Sequence, residues 1–515
     1  MPTTAENNKR IAKNTVMLYF RMIVMLLISL YTSRIVLNTL GVVDYGVNNV
    51  VGGVIAMMGF ITGSLGAAMS RFITYDLGKG DMKVLKKTFG NILTIYLCLA
   101  GVIFIGGETL GLWFLNTKLQ IPDDRMYAAQ WVYQLSIFST MLGVICTPYN
   151  ACIVAHEKMS AFAYISIFDA VMRLVNVTLL VVIPYDKLIT FALLNFAVGI
   201  IDRIIYGVYT AKNFEEVHTR PCYDKKQFKE IFAFAGWTMN GNLAVMGYTQ
   251  GLNMLLNIFF GPAVNAARAI AVRVQMICVQ FSGNFLTASR PQITKSYASG
   301  ELTYMHKLMM KSSKFGFLIL FFIALPVSLE AGQVLVWWLG LVPEHTTNFL
   351  RLVLCTSLLD VLRSIVVTCV HATGNLKKFQ IVEGTMLLSI VPISYVLLKF
   401  CNTPPETVFI VHFVVEGCTQ YARLRIVLPM IKLPLMEYFR QVIRPIVLVV
   451  ITAPIVPVTV YCCLEKNVWS FFVVCIVCVL CSGLAIYTLG CTPHERQLAV
   501  EKTRNICQKL RKNNA

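Results

Sequence analysis

Apolar runs of the length that crosses a hydrocarbon core, roughly 20 residues, recur along nearly the whole chain, separated by short polar stretches. They predict fourteen helical spans, over 14–37, 47–71, 90–115, 126–149, 160–183, 188–211, 231–257, 263–288, 313–339, 347–370, 379–400, 407–430, 443–463 and 467–490. Residues 1–13 are polar and no small-residue cleavage site follows, so the first run reads as a retained span and not as a signal peptide. Pro326, Pro392 and Pro454 fall inside spans, where they can kink a helix or serve packing. The expected fold class is an all-α polytopic membrane protein.

The polar punctuation repeats. Gly41 follows the first span and Gly261 the seventh, and the same offset pairs Ile73-Thr74 with Ile293-Thr294, Gly80-Asp81 with Gly300-Glu301 and Lys87 with Lys307. One residue out of step, Ser70-Arg71 answers Ser289-Arg290. Matches in order at a nearly constant offset point to two copies of one six-span unit. An even number of spans makes both copies enter the membrane from the same side, so the repeats are parallel and can enclose a substrate cavity between them. The expected organisation is a six-helix lobe over 1–211, a charged linker over 212–230, a second six-helix lobe over 231–430, an extra helix pair over 431–490 and an amphipathic basic tail over 491–515.

Composition agrees with this reading: 57% of residues are hydrophobic, only 14% are charged, and the mean hydropathy is +0.66. The net charge of +19 raises the question of nucleic acid, and its placement answers it. Lysines and arginines crowd the alternate connections that hold Lys83, Lys226 and Lys307, whereas the other connections offer only Lys118, Arg125, Lys187, Lys399 and Lys466. By the positive-inside rule both termini are expected in the cytoplasm, and the basic charge orients the chain and meets anionic lipid. The 16 cysteines sit mostly within apolar runs, and Cys475, Cys478 and Cys481 share a helix face without a histidine or carboxylate, so neither disulfides nor a metal site is expected. Short external loops and the lack of a Walker-type phosphate loop argue against an enzyme. No cofactor and no catalytic residue are expected.

Three stretches carry a family likeness. "SRIVLNTLGVVDYGVNNVVGGV" (33–54), "AMSRFITYDLGKGD" (68–81) and "FAFAGWTMNGNLAVMGYTQGLNMLLNIFFGPAVNAARAIA" (232–271) resemble the polysaccharide and O-antigen flippases of the multidrug, oligosaccharidyl-lipid and polysaccharide exporter superfamily. The resemblance implies two lobes forming a V and alternating access. It also implies an undecaprenyl-pyrophosphate-linked oligosaccharide as cargo, moved to the outer leaflet of the inner membrane for O-antigen or capsule assembly. It leaves room for polymerase and assembly proteins as partners.

Ionisable residues at membrane depth are costly and normally face a bundle interior or a watery cavity. Asp169 with Arg173, and Asp360 with Arg363, stand four and three residues apart and can simply neutralise each other. Arg21, Arg268 and Arg273 have no acidic neighbour on their own helix face. Together with Arg351 they are the candidate pyrophosphate ligands, because guanidinium grips phosphate oxygens in a bidentate fork. The alternative is snorkelling to the interface. Asp169 and Asp202 are the candidate ion-coupling carboxylates, against the rival reading that Arg173 and Arg203 hold them as structural pairs. A drug or organic-cation antiporter of the same superfamily is the nearest rival function; it would favour an acidic, aromatic cavity. A polymerase or glycosyltransferase would carry a large external catalytic loop. A major-facilitator transporter would show an acidic-arginine-glycine-basic signature where Gly78-Lys79-Gly80-Asp81 stands.

Overall fold

The structure, a computed structural model, describes residues 4–56, 59–117, 123–339, 342–465, 467–493 and 495–497. Lys118, Lys466 and nearly all of the tail expected over 491–515 lie outside the described residues. Among those described, the regular elements are helical throughout.

The first seven helices are α1 (Thr4–Ala56), α2 (Gly59–Lys79), α3 (Met82–Gly106), the short α4 (Leu112–Thr117), α5 (Met126–Ala155), α6 (Met159–Val182) and α7 (Lys187–Asn213). Then follow α8 (Lys225–Phe260), α9 (Pro262–Ala298), α10 (Leu302–Leu329), α11 (Ala331–Leu339), α12 (Thr346–Thr373), α13 (Lys377–Leu388), α14 (Ile390–Cys401) and α15 (Thr407–Met430). A single turn, α16 (Leu435–Tyr438), leads into the final group of α17 (Arg444–Thr452), α18 (Ile455–Cys463) and α19 (Val468–Ala485).

Twelve of these helical segments are long and apolar enough to cross a membrane. The two expected spans outside that set are helical as well. The span expected over 47–71 is shared between the end of α1 and α2, and the span expected over 407–430 is α15, whose apolar character is diluted by Glu416, Gln420, Arg423 and Arg425. Two of the three proline positions mark breaks: α13 gives way to α14 three residues before Pro392, and α17 to α18 beside Pro454, whereas Pro326 lies inside the continuous α10. A proline lacks the N–H that would bond the carbonyl one turn earlier and crowds that carbonyl with its ring.

The repeat is visible in the backbone. Gly41 and Gly261 have φ of 75° and 81°, and Gly80 and Gly300 have 76° and 79°. Both matched pairs occupy the left-handed region that a Cβ disfavours, and all four end or interrupt helices. At Gly41 the long α1 kinks. After Gly80, the Asp81 carboxylate accepts from the amides of Lys83 (2.9 Å) and Val84 (3.2 Å) and so starts α3.

By packing, the chain forms two compact units, Met1–Asn242 with Ala288–Glu301, and Leu243–Thr287 with Leu302–Ala515. In the first, α5 packs against α1, α2, α3, α6 and α7. Its surroundings are tied by Arg125, which donates to Asp44 beyond the α1 kink and, at 2.8 Å, to Asp186 at the start of α7. In the second, α12 and α15 pack together and on α10 and α13 respectively, while α17 and α19 cover α10.

The connection over 214–224 is bound to the first unit, not loose. Thr94 donates to the Cys222 carbonyl (2.7 Å), the Asp224 amide donates to Asn91 (2.8 Å), and Cys222 passes so close to Gly90 that a Cβ there would sit 2.7 Å from its sulfur. Glu216 is buried, with Oε1 2.6 Å from Nε2 of His156, whose ring stacks on Phe214. Burial pushes the Glu216 carboxyl up, but the His156 contact and its own backbone amide outweigh it and hold the group below the usual carboxylate range. A depressed carboxylate contributes stability that is complete above its unfolded value and is lost as pH falls through the folded one. Wild-type protein should therefore exceed Glu216→Gln in thermal midpoint at pH 7. The gap should be complete above the ordinary carboxylate value of about 4.5 and close as pH falls through the lower folded one. A gap independent of pH would show that the carboxylate charge contributes nothing.

Candidate functional site

Two helices of the first unit each present a polar stripe at helical spacing. On α5 it is Ser136, Ser139, Thr140, Gly143, Thr147 and Asn150; on α7 it is Asn195, Gly199, Asp202 and Tyr206. Residues three and four apart share a helix face. With Thr32 and Asn48 of α1 and Arg173 of α6 they enclose a cavity of about 890 Å³. Eleven of its seventeen lining residues, counted with Val144, Cys146, Val177 and Phe191, bear a side-chain oxygen or nitrogen. Some of these groups are satisfied locally: Thr140 donates to the Ser136 carbonyl (2.8 Å), Thr147 to Gly143 (3.0 Å) and Asn195 to Phe191 (2.9 Å). Three lining oxygens, Thr32 Oγ1, Asn150 Oδ1 and Asp202 Oδ1, are buried without a hydrogen-bond partner. Unpaired buried polar atoms are uncommon.

The two candidate coupling carboxylates come together here. Asp202 lies against the side chain of Asp169, and Arg173 donates to Asp169 at 2.8 Å, so the expected i,i+4 pair forms. Arg203 is not the partner of Asp202; its guanidinium stacks over Tyr149 at 4.1 Å from the ring centroid. Arg21 does not line the cavity. It stacks on Phe162 (4.5 Å), approaches Ser166 Oγ at 3.4 Å and keeps its Nε without a partner, within electrostatic reach of the lining Tyr206.

The other three candidate arginines belong to the second unit and are not brought together. Arg268 is buried; it donates to Asn253 and, at 3.4 Å, to the Thr249 carbonyl, and its Nε has no partner. Arg273 stands exposed on α9, with no hydrogen bond or ion pair among the described residues. Arg351 is committed elsewhere: it donates to the Ser328 (2.9 Å) and Leu329 (3.4 Å) carbonyls, capping the C-terminal end of α10. A cation there complements the helix dipole and the unpaired last carbonyls.

The second unit also holds a buried ionic network. Arg423 Nε donates to Glu383 (2.9 Å), its terminal nitrogens fork onto Glu416, and Nη1 reaches Gln420 (3.2 Å). Arg363 shares Glu383 (2.8 Å) and approaches Asp360 at 3.8 Å. The side chains of Arg423, Glu383 and Glu416 are only 1%, 3% and 1% exposed. The Asp360–Arg363 pair is thus part of a larger assembly. Sequence reasoning passed over Glu383 and Arg423, although 416, 420 and 423 fall on one face of α15 at helical spacing and so carried a signal.

No family model matches the sequence, and no curated protein matches it. Solved structures match its fold. A mutant of a MATE protein superposes with a TM-score of 0.73 at 14% identity, covering 83% of this chain and 96% of that one. An outward-facing multidrug resistance MATE family transporter of the MOP superfamily does so at 0.71 and 13%, with the same two coverages. A MOP superfamily transporter from Pyrococcus furiosus follows at 0.69 and 14%, again over 83% and 96%. In that transporter, reverse polarity of the binding pocket suggests a different function. The chain therefore has the fold of MOP superfamily transporters, as an all-helical, multi-pass membrane protein.

Proposed function

We propose that this chain is a secondary transporter that works by alternating access and carries an undecaprenyl-pyrophosphate-linked oligosaccharide from the inner to the outer leaflet of the cytoplasmic membrane, with both termini inside. The observation that carries the substrate class is the cavity lining. Drug-sized ligands are held in mostly hydrophobic and aromatic pockets with few polar groups. Here nine of the seventeen lining residues carry a hydroxyl or an amide and only Phe191 and Tyr206 are aromatic, which suits a polyhydroxylated cargo. Arg21, with an unspent Nε–H and within electrostatic reach of the lining Tyr206, suits the pyrophosphate.

Exchange of an organic cation or drug against a coupling ion is the second reading, and the names of the fold neighbours favour it over the first. Its specific support is Asp202, a lining residue with one unpartnered oxygen and Asp169 beside it. A carboxylate at membrane depth can take up and release a proton as access alternates.

Reconstituted vesicles separate the two. A thiol placed at position 226, reactive only from the cytoplasmic side, sets the orientation. Under an imposed pH gradient, a fluorescent lipid-linked oligosaccharide should change leaflet while a fluorescent organic cation should not accumulate. The reverse outcome would replace the first reading with the second. Under either, Asp202→Asn should abolish the dependence on the gradient; full gradient-driven transport by both Asp202→Asn and Asp169→Asn would end the coupling role of this pair.

A further inference from the structure

The cavity of the first unit has one guanidinium and one carboxylate on its wall, Arg173 of α6 and Asp202 of α7; its other lining residues are uncharged at neutral pH. The pair that Arg173 makes with Asp169 uses only part of the arginine. Its Nε donates to Asp169 at 2.8 Å, while among the described residues Nη1 and Nη2 have no hydrogen-bond or ion-pair partner. The Arg173 side chain is 48% exposed, against 24% for Asp169, which stands one turn earlier and does not line the cavity. The guanidinium is thus held by one edge, and its two-pronged end is left for a ligand. Such a fork matches two oxygens of a phosphate group.

Charge counting shows what else that ligand requires. Asp169 and Asp202 lie against each other with Arg173 as their counter-ion, so the trio carries one surplus negative charge when both carboxylates are ionised. The other ionisable groups around it are Arg21 from α1, Cys146 and Tyr149 from α5, and Arg203 and Tyr206 from α7. Two of these are cations, but Arg21 leans on Phe162 and Arg203 on Tyr149, and the cation that acts on Asp202 is Arg173. Away from bulk water, a surplus negative charge beside the fork repels the anion that the fork would otherwise grip. One proton on the carboxylate pair cancels the surplus and leaves the guanidinium charge to the ligand.

We propose that Arg173 is the anion ligand of this cavity, gripping a phosphate of a pyrophosphate diester through Nη1 and Nη2, and that this binding takes up one proton onto the Asp169–Asp202 pair. The step moves a proton from solvent to a carboxylate oxygen and changes no other bond. It deepens the lipid-linked oligosaccharide reading given above and rests on it. Anion and proton bind together here, whereas an organic cation competes with the proton for the same carboxylates. A pyrophosphate diester carries two negative charges, so cargo and proton cross as one net negative charge, which a potential negative inside drives outward.

The test measures binding, by calorimetry on the full chain in lipid nanodiscs. The probe is UDP-glucose, a water-soluble sugar pyrophosphate diester that does not itself titrate from about pH 5.5 to about pH 8.5. Its Kd should rise with pH, by up to about tenfold per pH unit at the alkaline end, and buffers of unlike ionisation enthalpy should count one proton taken up. Arg173→Ala should weaken binding roughly 10- to 100-fold, the loss of a charge-assisted bond, and Arg173→Lys should recover part of it. Asp169→Asn and Asp202→Asn should each flatten the pH dependence and tighten binding at the alkaline end, a gain that misfolding does not produce. Unchanged affinity in both Arg173 variants, or a wild-type Kd that does not rise with pH, overturns the site. So does tetraphenylphosphonium binding that tightens as pH rises while UDP-glucose fails to bind. If UDP-glucose behaves as expected but no lipid-linked oligosaccharide changes leaflet, the transport reading falls and the anion site stands. If the lipid-linked probe moves equally well in Arg173→Ala, the site falls and the transport reading stands.

Discussion

Arg423→Ala should cost about 3–5 kcal/mol and leave little folded protein in detergent, because it strands the buried Glu416 carboxylate and takes one of two guanidinium partners from Glu383. Glu383 and Glu416 are 3% and 1% exposed at the side chain, and each receives hydrogen bonds from Arg423. A typical domain has only about 5–15 kcal/mol in hand, so the loss is a large fraction of the whole. The cause is the uncompensated charge and not the missing attraction, which gives the prediction a second arm. Arg423→Met combined with Glu416→Leu removes one charge of each sign and leaves Glu383 with Arg363 at 2.8 Å. A buried pair replaced by apolar groups of similar volume is often neutral or better, so the double variant should be more stable than Arg423→Ala by thermal unfolding. If the double variant is no better than the single one, the network is not held by charge compensation.

The network also shows where sequence reading reaches and where it stops. Hydrophobic runs and punctuation suffice for the helices, since each span must satisfy its own backbone in lipid whatever its neighbours do. The repeat is legible because it rests on glycines whose backbone requirement is local, as the matched φ values of Gly41 with Gly261 and of Gly80 with Gly300 show. Tertiary partners are another matter. Asp169 with Arg173 follows from spacing alone, whereas Arg203 turns to the ring of Tyr149 and Arg351 to the carbonyls of α10, contacts between helices that periodicity does not encode. The polar stripe of α5 was present in the sequence as Ser136, Thr140, Gly143, Thr147 and Asn150, but small hydroxyl residues read as ordinary helix packing until α1, α6 and α7 leave a gap in front of them. Glu157 gave no sequence signal, because its partners, Arg10 and Lys295, lie more than a hundred residues away on each side and meet only once the helices pack.

The four candidate arginines should divide by what their guanidinium groups already hold. Arg21, Arg268 and Arg273 each retain donors that no protein group uses: an Nε in the first two, and the whole guanidinium in the exposed Arg273. Arg351 is spent on the end of α10, its Nε 2.9 Å from the Ser328 carbonyl. For an anionic cargo bound by charge-assisted hydrogen bonds, alanine at 21 or 268 should lower transport per folded molecule roughly 10- to 100-fold, the equivalent of one such bond. Lysine at either position should restore only part of it, because a point charge lacks the bidentate fork. Arg273→Ala should lower transport in the same direction, and its exposure means that it should do so with no change in thermal midpoint. Arg351→Ala should do the opposite, weakening the end of α10 by about 0.3–1 kcal/mol while each folded molecule still transports normally. Transport of the lipid-linked probe is measured in vesicles with each variant normalised to folded protein, and thermal midpoints are taken from the same preparations. Normal transport by the alanine variants at 21, 268 and 273 would remove the arginines from the binding surface and, with them, the main argument for an anionic cargo over an organic cation.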